Sequence, residues 1–313
     1  GPIGFLGLQV GYGLESLLGW TNTINHQSLI IVGLVMLYTI SSVTGLKRGI
    51  QWLSRANMFL ALLLLLFVMI AGPTWFIIKH FVSGMLTYLG HLIPMSLYRH
   101  EASVFADIDQ LPWLSSWTLF FWGWFMGYGP MMAMFIARIS RGRSIREVIV
   151  MLVIIAPLVT HMWYTIIGGT GIAMELNHTG SIASAIDGFN LPASLLAIVQ
   201  QLPLGGIISG LFLLLTTVFV ATTGDSMTYM ISIAMSKKGT SDVVMRVFWG
   251  VAMGVMAIVL IRLGNSGISE LQRFIVITAV PVSVILLPAM WDAIRITQLK
   301  YRELKHQIPE HHI

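Results

Sequence analysis

Long apolar runs separated by short polar stretches organise the chain. Ser28–Leu46, Asn57–Ile78 and Trp113–Ala137 carry no charge, Val148–Thr170 carries only His161, and Leu204–Met235 carries one acid, Asp225. Val243–Leu263 and Phe274–Ile294 complete the set, and Gly1–Gly19 is a shorter first run. About 20 apolar residues in a helix cross the hydrocarbon core of a bilayer. The pattern therefore predicts seven full membrane crossings and one partial one. Trp75–Leu97 differs: after Pro73 it mixes apolar and polar residues, which predicts an amphipathic helix lying at the membrane interface and ending at Pro94. Leu191–Leu202 is a shorter segment of the same kind. Gly1 stands inside an apolar run with no basic stretch before it, so the expectation is that further helices precede it rather than a signal peptide.

Composition strengthens this picture. Of 313 residues, 56% are apolar and 10% charged, and mean hydropathy is +0.82. A soluble domain carries about 25% charged residues, so an ordinary cytosolic enzyme is excluded. Cysteine is absent, which removes disulfides, thiolate metal sites and thiol nucleophiles. The net charge of +5 resolves into a topology signal. One set of alternate loops and the tail hold Lys47, Arg48, Arg55, Arg138, Arg141, Arg143, Arg146, Lys237, Lys238, Arg246, Arg295, Lys300, Arg302 and Lys305; the other set holds Lys79, Arg99, Arg262 and Arg273. Cytoplasmic loops are enriched in Lys and Arg, so the split predicts a cytoplasmic C-terminus.

Candidate chemistry concentrates in Trp117–Glu147, WTLFFWGWFMGYGPMMAMFIARISRGRSIRE. Trp117, Phe121, Trp124 and Tyr128 recur at helical spacing and place four rings on one stripe, flanked by Phe125, Met132 and Phe135. Aromatic faces attract a quaternary ammonium group, although such stripes also fill ordinary helix contacts. Gly127, Gly129 and Pro130 predict a weakened helix beside the stripe, and Pro130 leaves a carbonyl without its donor. Asp225 is a lone acid in an apolar run, read either as functional or as a cap on a helix break. His161 is read as a hydrogen-bonded structural residue. The Arg138–Arg146 cluster is first a topology signal. The His311–His312 pair is a tail feature, where any bound metal would be adventitious.

The Trp117–Glu147 segment resembles the signature of the betaine/carnitine/choline transporter (BCCT) family, with its aromatic run and closing Ala-Arg-Ile-Ser-Arg-Gly-Arg-Ser-x-Arg-Glu. Gly45–Leu60 (GLKRGIQWLSRANMFL) and Phe219–Ser226 (FVATTGDS) resemble the family's seventh and tenth helices. The resemblance covers the chain from mid fifth helix to C-terminus. It implies an all-α polytopic membrane protein with a LeuT-like inverted repeat, N-terminally truncated. Residues 1–296 are then the transporter core and 297–313 a cytoplasmic tail.

It further implies secondary transport of trimethylammonium solutes such as glycine betaine, choline or carnitine, without covalent chemistry and without a cofactor other than sodium. Trp124 and Tyr128 match cage positions, Phe125 stands where the family has a second tryptophan, and Trp117 and Phe121 lie toward the outer access path. Phe219, Thr222 and Thr223 match a sodium site of sodium-coupled members. Asn57 takes the place of an arginine found in sodium-independent antiporters, whereas Met132 matches a methionine of those antiporters. Symport, proton coupling and exchange therefore stay open, as does a chain that does not transport on its own. The resemblance implies a homotrimer in a bacterial inner membrane with Trp75–Leu97 near the contact. A membrane enzyme acting on lipid or quinone would need clustered His or acidic residues, and the isolated His161 and Asp225 argue against it.

Overall fold

Segments this apolar form helices because each helix satisfies its own backbone hydrogen bonds away from water. The computed structural model describes residues 2–44, 47–98, 115–184, 191–236, 241–263 and 268–307, and every regular element among them is helical. In order these are α1 (Pro2–Leu18), α2 (Ile24–Thr44), α3 (Lys47–Ala71), α4 (Thr74–Ser96), α5 (Phe120–Ile139), α6 (Ile145–Val150), α7 (Ala156–Asn177), α8 (Leu191–Gln200), α9 (Gly205–Ala234), α10 (Val243–Leu263) and α11 (Ile268–Gln307). A π-helical turn, Ser115–Leu119, leads into α5, and another, Met151–Ile155, joins α6 to α7 in one run. Gly45, Leu46, Arg99, Trp113, Lys237, Lys238, His311 and His312 lie outside the described residues.

Among the described residues, eight helical runs are long and apolar enough to cross a membrane. Seven coincide with the expected crossings, and the eighth is α4. Several boundaries differ from the sequence reading. The run through Asn57–Ile78 stops at Ala71, where Gly72 and Pro73 turn the chain and Thr74 Oγ1 donates to the Met69 carbonyl at 2.7 Å. α4 continues past Pro94 to Ser96, and α11 continues to Gln307, so much of the expected tail is helical. The expected weakening of α5 at Gly127–Pro130 is not seen: Pro130 lies inside an uninterrupted helix. α9 is likewise continuous through Asp225, which removes the reading of that acid as a cap at a helix break.

Two apolar clusters hold the bundle. One joins Leu64 and Val68 of α3, Ile166 and Ile167 of α7, Val199 of α8, and Phe212 and Leu215 of α9. The other joins Ile3 and Leu8 of α1, Ile31 and Tyr38 of α2, and Ala257 and Ile261 of α10. α9 is the most buried of the eight long runs and packs against α1, α2, α3, α5, α8 and α10. α5 packs along α11, and the glycines explain how. A Cβ at Gly123 would stand 3.1 Å from Val276 Cα, and one at Gly127 3.7 Å from Ala279 Cβ. Small residues four apart let two membrane helices approach closely.

α4 presents three faces. Ile77, Phe81 and Gly84 turn toward the protein, and His161 of α7 stacks on Phe81 with its Nε2 3.0 Å from the Phe81 carbonyl. Trp75, Ile78, Val82, Leu86, Leu89 and Ile93 form an exposed apolar stripe. His80, Ser83, Thr87 and His91 form an exposed polar stripe between the other two. His161 is thus a hydrogen-bonded tie between α4 and α7.

Candidate functional site

The stripe on α5 is continuous in space. Trp117 stacks on Phe121 with centroids 6.0 Å apart and planes at 10°. Phe120 meets Phe121 edge-on at 5.2 Å and Trp124 at 5.4 Å. Trp124 and Tyr128 then line a cavity of about 310 Å³ shared with α1, α9, α10 and α11. Its other walls include four methionines, Met131, Met227, Met253 and Met256. Thioethers are flexible and polarizable, so such a lining adapts to a rounded apolar guest.

A second cavity, of about 280 Å³, lies between α5 and α9. Tyr128, Met132 and Phe135 form its α5 side, Phe219, Thr222, Thr223 and Ser226 its α9 side, and Ser54 of α3 closes one edge. Tyr128, Met131 and Met227 border both cavities and form the partition between them. Phe219 also borders a third space, of about 430 Å³, between α1, α7, α8 and α9. Each volume is near the lower end of those that hold small ligands.

The fold therefore brings Tyr128, Met132, Phe219, Thr222 and Thr223 to one cavity, and Trp124 to its neighbour. Other expected residues lie elsewhere. Phe125 is 67% exposed and borders none of these cavities. Phe121 and Trp117 stay in the stack beyond them. Asn57 is buried at the contact of α3 with α9, where its Nδ2 donates to the Leu215 carbonyl at 3.4 Å. Asp225 is half-buried on α9 outside the cavity linings, and its main-chain carbonyl accepts from Thr228 Oγ1 at 2.9 Å. Ser54, Ser226, Met131, Met227 and Met230 are lining residues that the sequence reading missed. Ser226 and Met227 stand one turn beyond Thr222 and Thr223, and Ser54 one turn before Asn57, so helical spacing from the chosen residues would have found them.

The α9 side presents oxygen. Thr222 Oγ1 donates to the carbonyls of Val218 at 3.0 Å and Phe219 at 3.2 Å, and Ser226 Oγ donates to the Thr222 carbonyl at 2.8 Å. A hydroxyl whose proton is committed in this way still has lone pairs for a hard cation. Among the described residues, no three His, Asp or Glu side chains gather into a metal-binding group.

Comparison with known proteins decides the family. The model for the betaine/carnitine/choline family transporter matches residues 1–302. The chain belongs to the BCCT family. It is 54% identical over 293 residues to glycine betaine transporter 2 of Vibrio parahaemolyticus, covering 94% of this chain and 53% of that one. It is 35% identical over 276 residues to an osmo-independent choline transporter of Acinetobacter baylyi, covering 85% and 51%. It is 34% identical over 284 residues to an ectoine/hydroxyectoine transporter of Virgibacillus pantothenticus, covering 90% and 55%. The chain spans about half the length of the curated relatives it matches. The BCCT family is one of transporters, and the long apolar helices of this chain are those of a multi-pass membrane protein.

Proposed function

We propose that the protein carrying this chain is a secondary transporter of small trimethylammonium solutes, with glycine betaine the first solute to test. The observation that carries this reading is the α5–α9 cavity, where Tyr128 and Met132 face the hydroxyls of Thr222 and Thr223. A permanent cation with no hydrogen to donate is held by ring faces rather than by hydrogen bonds. Similarity to a glycine betaine transporter at 54% identity favours that solute over choline or ectoine.

Sodium is the coupling ion of this reading. Thr222, Thr223 and the backbone near Phe219 offer neutral oxygens to a hard cation, and the neutral Asn57 brings no positive charge to the fold. Sodium-independent exchange is the second reading, favoured by Met132 in the lining.

The protein lies in a bacterial inner membrane with its C-terminus in the cytoplasm and assembles as a homotrimer with α4 near the contact. α4 rests at the outer interface: its protein-facing, apolar and polar stripes match protein, lipid and water there. If α4 crossed instead, Lys47, Arg48 and Arg55 would share a side with Arg99, Arg262 and Arg273, against the bias of basic residues to the cytoplasm.

The test is uptake of labelled glycine betaine, choline and carnitine by the full protein in liposomes, with sodium, without it, and with vesicles preloaded with butyrobetaine. Sodium-dependent uptake that Tyr128→Ala weakens supports the proposal. Uptake that needs only preloaded solute establishes exchange and removes the sodium role of Thr222 and Thr223. Correctly folded protein that moves none of the three solutes overturns the substrate class.

A further inference from the structure

The face of α9 opposite the cavity meets a buried ring. Tyr38 of α2 is fully buried and stands between Gly224 of α9 and Gly250 of α10. Its hydroxyl donates to the Gly250 carbonyl at 2.6 Å. A Cβ at Gly224 would lie 2.7 Å from the ring, and one at Gly250 3.1 Å from it. Side by side with this contact, Thr228 Oγ1 is buried and donates to the Gly224 and Asp225 carbonyls at 3.0 and 2.9 Å.

Gly224 directly follows Thr222 and Thr223. At about 100° per residue, Phe219, Thr222, Thr223 and Ser226 point to one side of α9, and Gly224 with Thr228 points to the far side. The helix is therefore held between the cavity and the ring. The ring has no slack: it is fully buried between the two glycines, and glycine is the one residue that lets α9 approach it this closely. Any side chain at Gly224 pushes α9 away from α2 and into the cavity. Loss of the ring lets α9 retreat from α5.

We propose that Tyr38 is a positioning residue. It acts through Gly224 to set the distance between the hydroxyl-bearing turn of α9 and the aromatic face of α5, and so sets the affinity of the cavity for its solute and cation. This rests on the reading of the α5–α9 cavity as the transport site.

The experiment is sodium-dependent glycine betaine uptake by the full protein in liposomes. Half-saturation for solute and for sodium and maximal rate per reconstituted molecule are measured for Gly224→Ala, Tyr38→Leu and the double variant, with Thr222→Ala as reference. Contacting pairs couple strongly enough that each single variant should raise both half-saturation values by about 10-fold and the double variant should return them to within about 3-fold of wild type. Tyr38→Phe keeps the ring and should stay within about 3-fold of wild type in both values, which also serves if Gly224→Ala does not fold.

The positioning role is overturned if Thr222→Ala raises the half-saturation values while the Gly224 and Tyr38 variants lower only maximal rate, or if the double variant is additive. If Thr222→Ala itself leaves both values unchanged, the reading of the cavity fails, and the positioning role falls with it.

Discussion

Thr222 is satisfied by its own helix and also lines the cavity. Its proton goes back to the helix, to the Val218 and Phe219 carbonyls, which is how threonines are commonly satisfied inside membranes. The same residue lines the cavity that Tyr128 and Met132 line. Thr222→Ala should raise the sodium concentration for half-maximal uptake by about 10-fold, the effect of losing one charge-assisted contact, while Thr222→Ser should restore it. Tyr128→Ala should raise the KM for glycine betaine by ~2-fold to ~30-fold, the range set by a cation–π contact of about 0.5–2 kcal/mol. The maximal rate per folded molecule separates both from a folding defect. Of the residues picked out by type and spacing, Trp124, Tyr128, Met132, Phe219, Thr222 and Thr223 line cavities in the fold. Phe125 and Asn57 meet other surfaces, because one register step on a helix decides whether a side chain faces a cavity or a neighbour.

At the scale of elements, α5 is continuous where it packs along α11. Pro130 removes a backbone donor, yet the helix continues to Ile139 beside α11. Gly127, read in the sequence as part of a weak point, forms with Gly123 the surface on which α11 packs. Gly123→Leu should therefore lower the thermal transition of the detergent-solubilised protein, at a cost of about 1–3 kcal/mol from overpacking against Val276. Gly129→Ala should be tolerated, because its Cβ would stand at an ordinary 3.8 Å from Leu286. Removing the His161 tie to the Phe81 carbonyl by His161→Ala should speed amide exchange across α4 and leave the exchange of α9 as it was.

For the whole molecule, the decisive question is on which side of the membrane each helix end lies. The chain has no cysteine, so single cysteines report cleanly once any others in the full protein are replaced. An impermeant maleimide applied from outside should label cysteine at the exposed Thr179 and spare cysteine at Arg141 and at Gln298. Cysteines at Thr74 and at Ser96 should both react from outside if α4 lies in the interface. Reaction at one and not the other would show that α4 crosses.

The sequence by itself determined the class of molecule and its family. Long uncharged runs leave a backbone no stable state in a membrane but the helix, and the Trp117–Glu147 signature is long enough to be specific. It also determined which residue types face one another on α5 and on α9, because helical periodicity is local. Only the tertiary structure decided which of those faces meet. The division of Asn57–Ile78 into α3 and α4 depends on the corner at Gly72–Pro73, the continuity of α5 is seen where it lies against α11, and the Tyr38 contact joins residues 38, 224 and 250. Such contacts are fixed by how side chains from distant segments fill shared space, and no periodicity within one segment encodes them.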